Sequence, residues 1–81
     1  MKSDEFKVER VAFGKAIRKF RLGENLTQEK LAVLAKFSSN YIGTVERGQE
    51  NISLIRIFRV CRVLNVTLEQ LAKEMKKHQA Q

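Results

Sequence analysis

The sequence predicts an all-α domain of five short helices, and three observations lead to that class. Apolar residues recur at spacings of three and four, the period of a helix with one buried face. Each of the last four apolar runs follows a hydroxyl residue suited to cap a helix, at Thr27, Ser38, Ser53 and Thr67. No segment alternates apolar and polar residues as a strand would, and the chain has no proline to interrupt a helix.

The first helix is expected over about residues 5–22, starting at Asp4 or Glu5, with Phe6, Phe13, Ile17 and Phe20 turned inward. Gly23 ends it, and Asn25 tolerates a left-handed turn. Thr27 caps a second helix over about 28–35, whose apolar side carries Leu31, Ala32, Leu34 and Ala35. Ser38 caps a third, about 39–47, closed at Gly48. Ser53 caps a fourth, about 54–64, with Leu54, Ile57, Cys61 and Leu64 on one stripe. Thr67 caps the fifth, about 68–77, and Gln70 at its third position completes a capping box. Leu68, Leu71, Ala72 and Met75 supply its inner face, and the closing KKHQAQ is expected to fray.

A chain of 81 residues has room for one small domain, and 43% hydrophobic with 31% charged residues suits a compact protein rather than a disordered one. Its net charge of +7, from 16 Lys and Arg against 9 Asp and Glu, favours a polyanionic partner, either nucleic acid or an anionic membrane. No apolar run is long enough for a membrane span, and MKSDEFKVER resembles neither a signal peptide nor a lipidation site, so a cytoplasmic location is expected. The single Cys61 excludes an internal disulfide and reads as a small core residue; with His78 as the only histidine, no zinc site fits one chain. His78 reads as a tail residue without a partner. Three Asn-x-Ser/Thr matches, at Asn25, Asn51 and Asn65, read as cap sequences because each hydroxyl precedes an apolar run. No nucleophile, base and orienting group assemble, so neither catalysis nor a cofactor, metal or small-molecule ligand is expected.

Only a turn of KFS or so separates the second and third helices, and two short helices joined that tightly form a helix-turn-helix. FGKAIRKFRLGENLTQEKLAVLAKFSSNYIGTVERGQENISL, Phe13 to Leu54, resembles the phage-repressor and Cro type of this motif, the XRE family. Thr27 and Gln28 with Leu31 and Ala32, Tyr41 with Ile42, and Glu46, Arg47 and Gly48 stand at the family's spacing, and RVLNVTLEQL matches its usual ending. The resemblance implies a five-helix phage-repressor-like domain that binds double-stranded DNA through helices two and three.

SSNYIGTVERG, Ser38 to Gly48, carries short polar residues where an exposed helix face usually has Lys and Glu. By resemblance, Ser39, Asn40 and Tyr41 in the first turn and Thr44 one turn later face a major groove, where long side chains would obstruct approach to the bases. Asn40 suits an adenine edge, Ser39 and Thr44 can donate or accept, and Tyr41 or the Thr44 methyl can meet a thymine methyl. The alternative is that Ser38 and Ser39 merely cap while Asn40 and Thr44 face water. Gly43 is expected to keep this face shallow. Phosphate contacts are expected from Gln28, Ser38, Arg47 and Asn51, with Arg18 and Lys36 extending the strip. The resemblance turns Glu46 inward to an ion pair with Arg21. Ala32 is small where helices two and three cross, and Ile42 anchors that crossing. Lys36 stands where relatives have Gly, so either it is left-handed or the turn differs.

Helix four has more apolar residues than one stripe holds. Ile55, Phe58 and Val63 are expected to be covered by a two-fold dimer contact through helices four and five, with Arg56, Arg59 and Arg62 on a solvated face, a second DNA contact being the alternative. The combined reading is a sequence-specific transcriptional regulator that acts as a homodimer on a palindromic operator and controls its own synthesis. YIGTVERGQENIS in a chain of this length resembles the controller proteins of restriction-modification systems. Stand-alone phage-type repressors and antitoxin-like regulators remain alternatives, as do a protein-bridging adaptor and a binder of structured RNA. RNA polymerase is a further candidate partner.

Overall fold

The computed structural model describes residues 5–79, which form α1 (Lys7–Gly23), α2 (Gln28–Ala35), α3 (Ser39–Glu46), α4 (Leu54–Leu64) and α5 (Leu68–Gln79). Every hydroxyl read as a cap accepts a backbone N–H three residues on: Thr27 from Lys30, Ser38 from Tyr41, Ser53 from Arg56 and Thr67 from Gln70. Gln70 Oε1 in turn accepts from the Thr67 N–H at 2.7 Å, closing the capping box. The hydroxyls of all three Asn-x-Ser/Thr matches are thus engaged at helix starts.

The first four helices also end alike. A left-handed residue stands just past each of them, at Asn25, Lys36, Gly48 and Asn65. The N–H of the next residue reaches five positions back, from Leu26 to Arg21, Phe37 to Ala32, Gln49 to Thr44 and Val66 to Cys61. This is the Schellman arrangement, which satisfies carbonyls the helix leaves free. Leu26, Phe37 and Val66 then pack on the core, so each cap also fixes the direction of the next helix. Lys36 takes the left-handed option, with φ 64° and ψ 47°.

α1 begins later than the sequence suggests. Phe6 is left-handed, which a right-handed helix cannot continue, and its ring is 65% exposed instead of inward; Asp4, the other candidate start, lies outside the described residues. Gly23 is the last helical residue, and Asn25 makes the turn. Arg47 is the C-cap of α3, so that helix stops at Glu46. α5 runs on to Gln79, so Lys76 to Gln79 are helical, while the last two residues of KKHQAQ lie outside the described ones.

The core joins Phe13, Ala16 and Ile17 of α1 to Leu31, Ala32 and Ala35 of α2, Ile42 and Val45 of α3, Val60, Cys61 and Leu64 of α4 and Leu71 of α5. α1 packs chiefly on α5 and α3, and α2 on α3 and α4. Gly14 permits the α1–α3 approach, because a Cβ there would stand 2.5 Å from the Val45 carbonyl oxygen. Gly48 meets a similar constraint at φ 75°, with the Val11 backbone 2.9 Å from any Cβ. Burial pushes the Cys61 thiol above its usual pKa, in keeping with a core role.

Most of the predicted apolar stripe is buried on α2 and α4 and half of it on α5, with individual members displaced. On α2, Leu34 is 47% exposed while Ala35 is buried. On α4, the line runs through Ile57, Val60, Cys61 and Leu64, leaving Leu54 exposed. On α5, Leu68 and Ala72 are exposed, and buried Glu74 follows Leu71 on the inner side. Glu74 is tolerated there because Lys19 of α1 donates to it at 3.0 Å and Lys77 stands 3.6 Å away. His78 is no unpartnered tail residue: its Nε2 lies 3.0 Å from Glu74 Oε2.

Candidate nucleic-acid interface

The junction of α2 and α3 is organised by one acid. Glu46, at the end of α3, is turned inward and meets Arg21 of α1 twice, at 2.6 Å from Nε and 3.0 Å from Nη2. Both side chains are nearly excluded from water. Arg21 Nη1 also donates to the Leu26 carbonyl at 2.8 Å, and Gln28 Nε2 donates to Glu46 Oε1 at 3.0 Å. The carboxylate is thus neutralised and fully used, and α1, the first turn of α2 and the end of α3 are locked together.

With that acid withdrawn, the outer side of α3 carries no uncompensated charge of its own. Ser39 and Asn40 are exposed at its N-terminal turn, where Ser38 is also exposed as the cap. Tyr41 and Thr44 are half-buried. The Tyr41 ring lies 5.0 Å from that of Phe37 and is steadied by Arg56, whose guanidinium stands 5.2 Å from its centroid. Arg56 Nη1 also approaches the Tyr41 hydroxyl at 3.4 Å. Arg59 lies 5.8 Å from the Phe37 ring; Arg56, Arg59 and Arg62 are all exposed, as the sequence suggests, and the first two also rest on aromatic rings.

Gly43 is buried rather than forming a shallow outer face. A Cβ there would be 3.2 Å from Arg47 Nη1 and 3.6 Å from Gln28 Oε1, so the glycine makes room for those two side chains. Arg47 is exposed and donates through Nε to Gln49 Oε1 at 3.1 Å. Asn51 is exposed in the loop before α4. Gln28 and Arg47 therefore adjoin over Gly43, in the middle of α3. Lys36 borders a depression with Leu34, Arg59, Arg62 and Val63, and Arg18 borders another with Lys15, Lys19, Leu22 and His78.

Two neighbours of this surface were missed from the sequence. Arg56 follows the Ser53 cap by three residues, the one available hint that it lies at the exposed start of α4. Glu50 had no signal; only the folded loop brings its Oε2 to 2.9 Å from Thr44 Oγ1.

The helix-turn-helix family model matches residues 17–71, most of the chain and all of the α2–α3 unit. The chain belongs to the XRE-type helix-turn-helix family. Among its relatives is the control protein C.BamHI of Bacillus amyloliquefaciens, 38% identical over 63 residues that span 76% of this chain and 78% of the relative. The restriction-modification controller protein C.AhdI of Aeromonas hydrophila is 39% identical, covering 75% of this chain and 92% of that one with a TM-score of 0.73. The controller protein C.Esp1396I, solved as a tetramer on its natural 35 base-pair operator, shares the fold at a TM-score of 0.81 and 23% identity, over 90% of this chain and 96% of that one. These helix-turn-helix relatives are regulators rather than enzymes, which agrees with the absence of any assembled catalytic group in the sequence. No helix among the described residues is long and apolar enough to cross a membrane.

Proposed function

We propose that this helix-turn-helix regulator binds double-stranded DNA sequence-specifically as a homodimer, on an imperfect palindrome near its own gene, as the controller of a restriction-modification system in the cytoplasm. One observation carries the reading. α3 presents short, uncharged side chains outward at Ser39 and Asn40, while its only acid, Glu46, is turned inward and neutralised by Arg21. A helix so arranged can enter a major groove without repelling phosphates.

In this reading each monomer places α3 in one groove, with half-sites about 10 bp apart from centre to centre. Asn40 reads an adenine edge, Ser39 and Thr44 contribute polar contacts, and Tyr41 offers its exposed edge to a thymine methyl. Gln28, Ser38, Arg47 and Asn51 hold phosphates beside the helix, and Arg18 and Lys36 add further positive charge. Ile55, Phe58 and Val63 lie on the proposed dimer face. Ile55 and Phe58 are 65% and 46% exposed and suit that role; Val63 is half-buried against its own core and contributes only an edge. The relation to control proteins supports the narrower assignment, and RNA polymerase is the partner through which such a regulator would activate.

The test is a titration on the duplex upstream of the chain's own coding sequence, against a scrambled duplex of equal length, at two salt concentrations. Preference of about 10³-fold or more with cooperative occupancy is the expected result. Equal, salt-fragile binding to both duplexes would overturn the proposal in favour of a protein-bridging adaptor. On the preferred duplex, Asn40→Ala should flatten discrimination at one or two base positions and leave the salt slope unchanged.

A further inference from the structure

Thr44 and Glu50 make a pair whose chemistry is more restrictive than that of either residue alone. Thr44 Oγ1 lies 2.7 Å from the Tyr41 carbonyl oxygen and 2.9 Å from Glu50 Oε2. A hydroxyl has one proton and both of these neighbours are acceptors, so the proton stays within the protein whichever it meets. What Thr44 can offer outward is lone-pair density. Glu50 adds a carboxylate that only accepts.

Glu50 is half-buried between α3 and α4 and forms no ion pair among the described residues. On a surface meant for DNA, an unpaired carboxylate repels the phosphates. That cost is offset where the carboxylate meets a hydrogen-bond donor, and the major groove has donors only on the amino groups of cytosine and adenine. Adenine sets its N7 acceptor beside the amino group, which a carboxylate disfavours; guanine presents O6 and N7, and thymine O4, all acceptors. Cytosine N4 fits best.

We propose, building on the DNA-reading function above, that Thr44 and Glu50 form an acceptor-only subsite that selects cytosine through its N4 amino group and rejects guanine and thymine. Glu50 is thereby a specificity determinant contributed by the α3–α4 loop instead of the recognition helix.

The test is selection from a double-stranded DNA library with a randomised core, carried out with the wild type and with Glu50→Gln, Glu50→Ala and Thr44→Val. The wild type should enrich a half-site with one position where cytosine is preferred over guanine by about tenfold or more. Glu50→Gln should move that preference toward adenine, whose N6 and N7 match an amide. Glu50→Ala should abolish it while strengthening binding to scrambled DNA, and Thr44→Val should weaken it at the same position. An enriched wild-type motif that all three variants reproduce base for base overturns the subsite and leaves the DNA-reading function standing. Absence of any enriched motif for the wild type overturns both.

Discussion

Glu46 shows how a charged residue can be structural on a helix whose other polar residues face outward. Its carboxylate accepts from Arg21 twice and from Gln28 once in a site almost closed to water. Removing one partner strands a charge there, so Glu46→Ala should lose about 3–5 kcal/mol in urea unfolding, a large share of a small domain's stability. Replacing both partners with apolar residues, Arg21→Met with Glu46→Leu, should recover much of that loss, since no buried charge remains. A double variant as unstable as the sum of the singles would refute this account. The pair was legible because the motif assigns an Arg to this Glu. Glu50 was not legible, because nothing in the chain order tells a loop carboxylate which helix face it will meet.

At the scale of elements, the four repeated C-caps set the angles between helices, and one of them is made by an ill-suited residue. Lys36 adopts a left-handed conformation that costs an L-residue with a side chain about 1 kcal/mol relative to Gly. Lys36→Gly should therefore raise stability by about 1 kcal/mol, seen as a higher melting temperature, with the helical circular dichroism unchanged. A fall in stability would mean that the Lys36 side chain contributes more than its backbone costs. The α1–α5 contact carries a pH signature. The Lys19 hydrogen bond, opposed by burial and aided by the charges of Lys19 and Lys77 and the bond to His78, holds the Glu74 carboxyl below the usual glutamate pKa. A lowered folded pKa adds stability that is complete above the unfolded value of about 4.3 and is lost as pH falls through the folded one. Stability followed from about pH 4.3 downward, through the folded pKa, should fall more steeply in the wild type than in Glu74→Gln; identical acid profiles would remove Glu74 from the account. Four caps on α2 to α5 were readable because capping is local chemistry. The burial of Glu74 was not, because its partner Lys19 lies on another helix.

For the whole molecule, the open question is what covers α4. Ile55 and Phe58 stand exposed beside Leu54, an apolar surface that a second copy would shield in the proposed dimer. Ile55→Glu places charges in that contact, so sedimentation should show monomers, and operator affinity should fall because two half-sites no longer act through one particle. An unchanged dimer mass would remove Ile55 from the interface. The excess of 16 basic over 9 acidic residues makes any DNA complex weaken with salt, in the monomeric variant less steeply than in the dimer.

By itself the sequence determined the helix count, the capped starts of α2 to α5, the left-handed turn at Asn25 and the family to which the α2–α3 unit belongs. Each of these rests on interactions within a few residues, or on a motif whose spacing is kept along the chain. The tertiary structure alone decided that Leu34, Leu54 and Leu68 stay exposed while Glu74 is buried, that Gly43 makes room for Gln28 and Arg47, and that Arg56 and Glu50 adjoin Tyr41 and Thr44 of α3. Those outcomes depend on partners distant in the chain or on a loop path, and periodicity cannot tell which members of a stripe stay exposed when a charge such as Glu74 can be buried at no local warning.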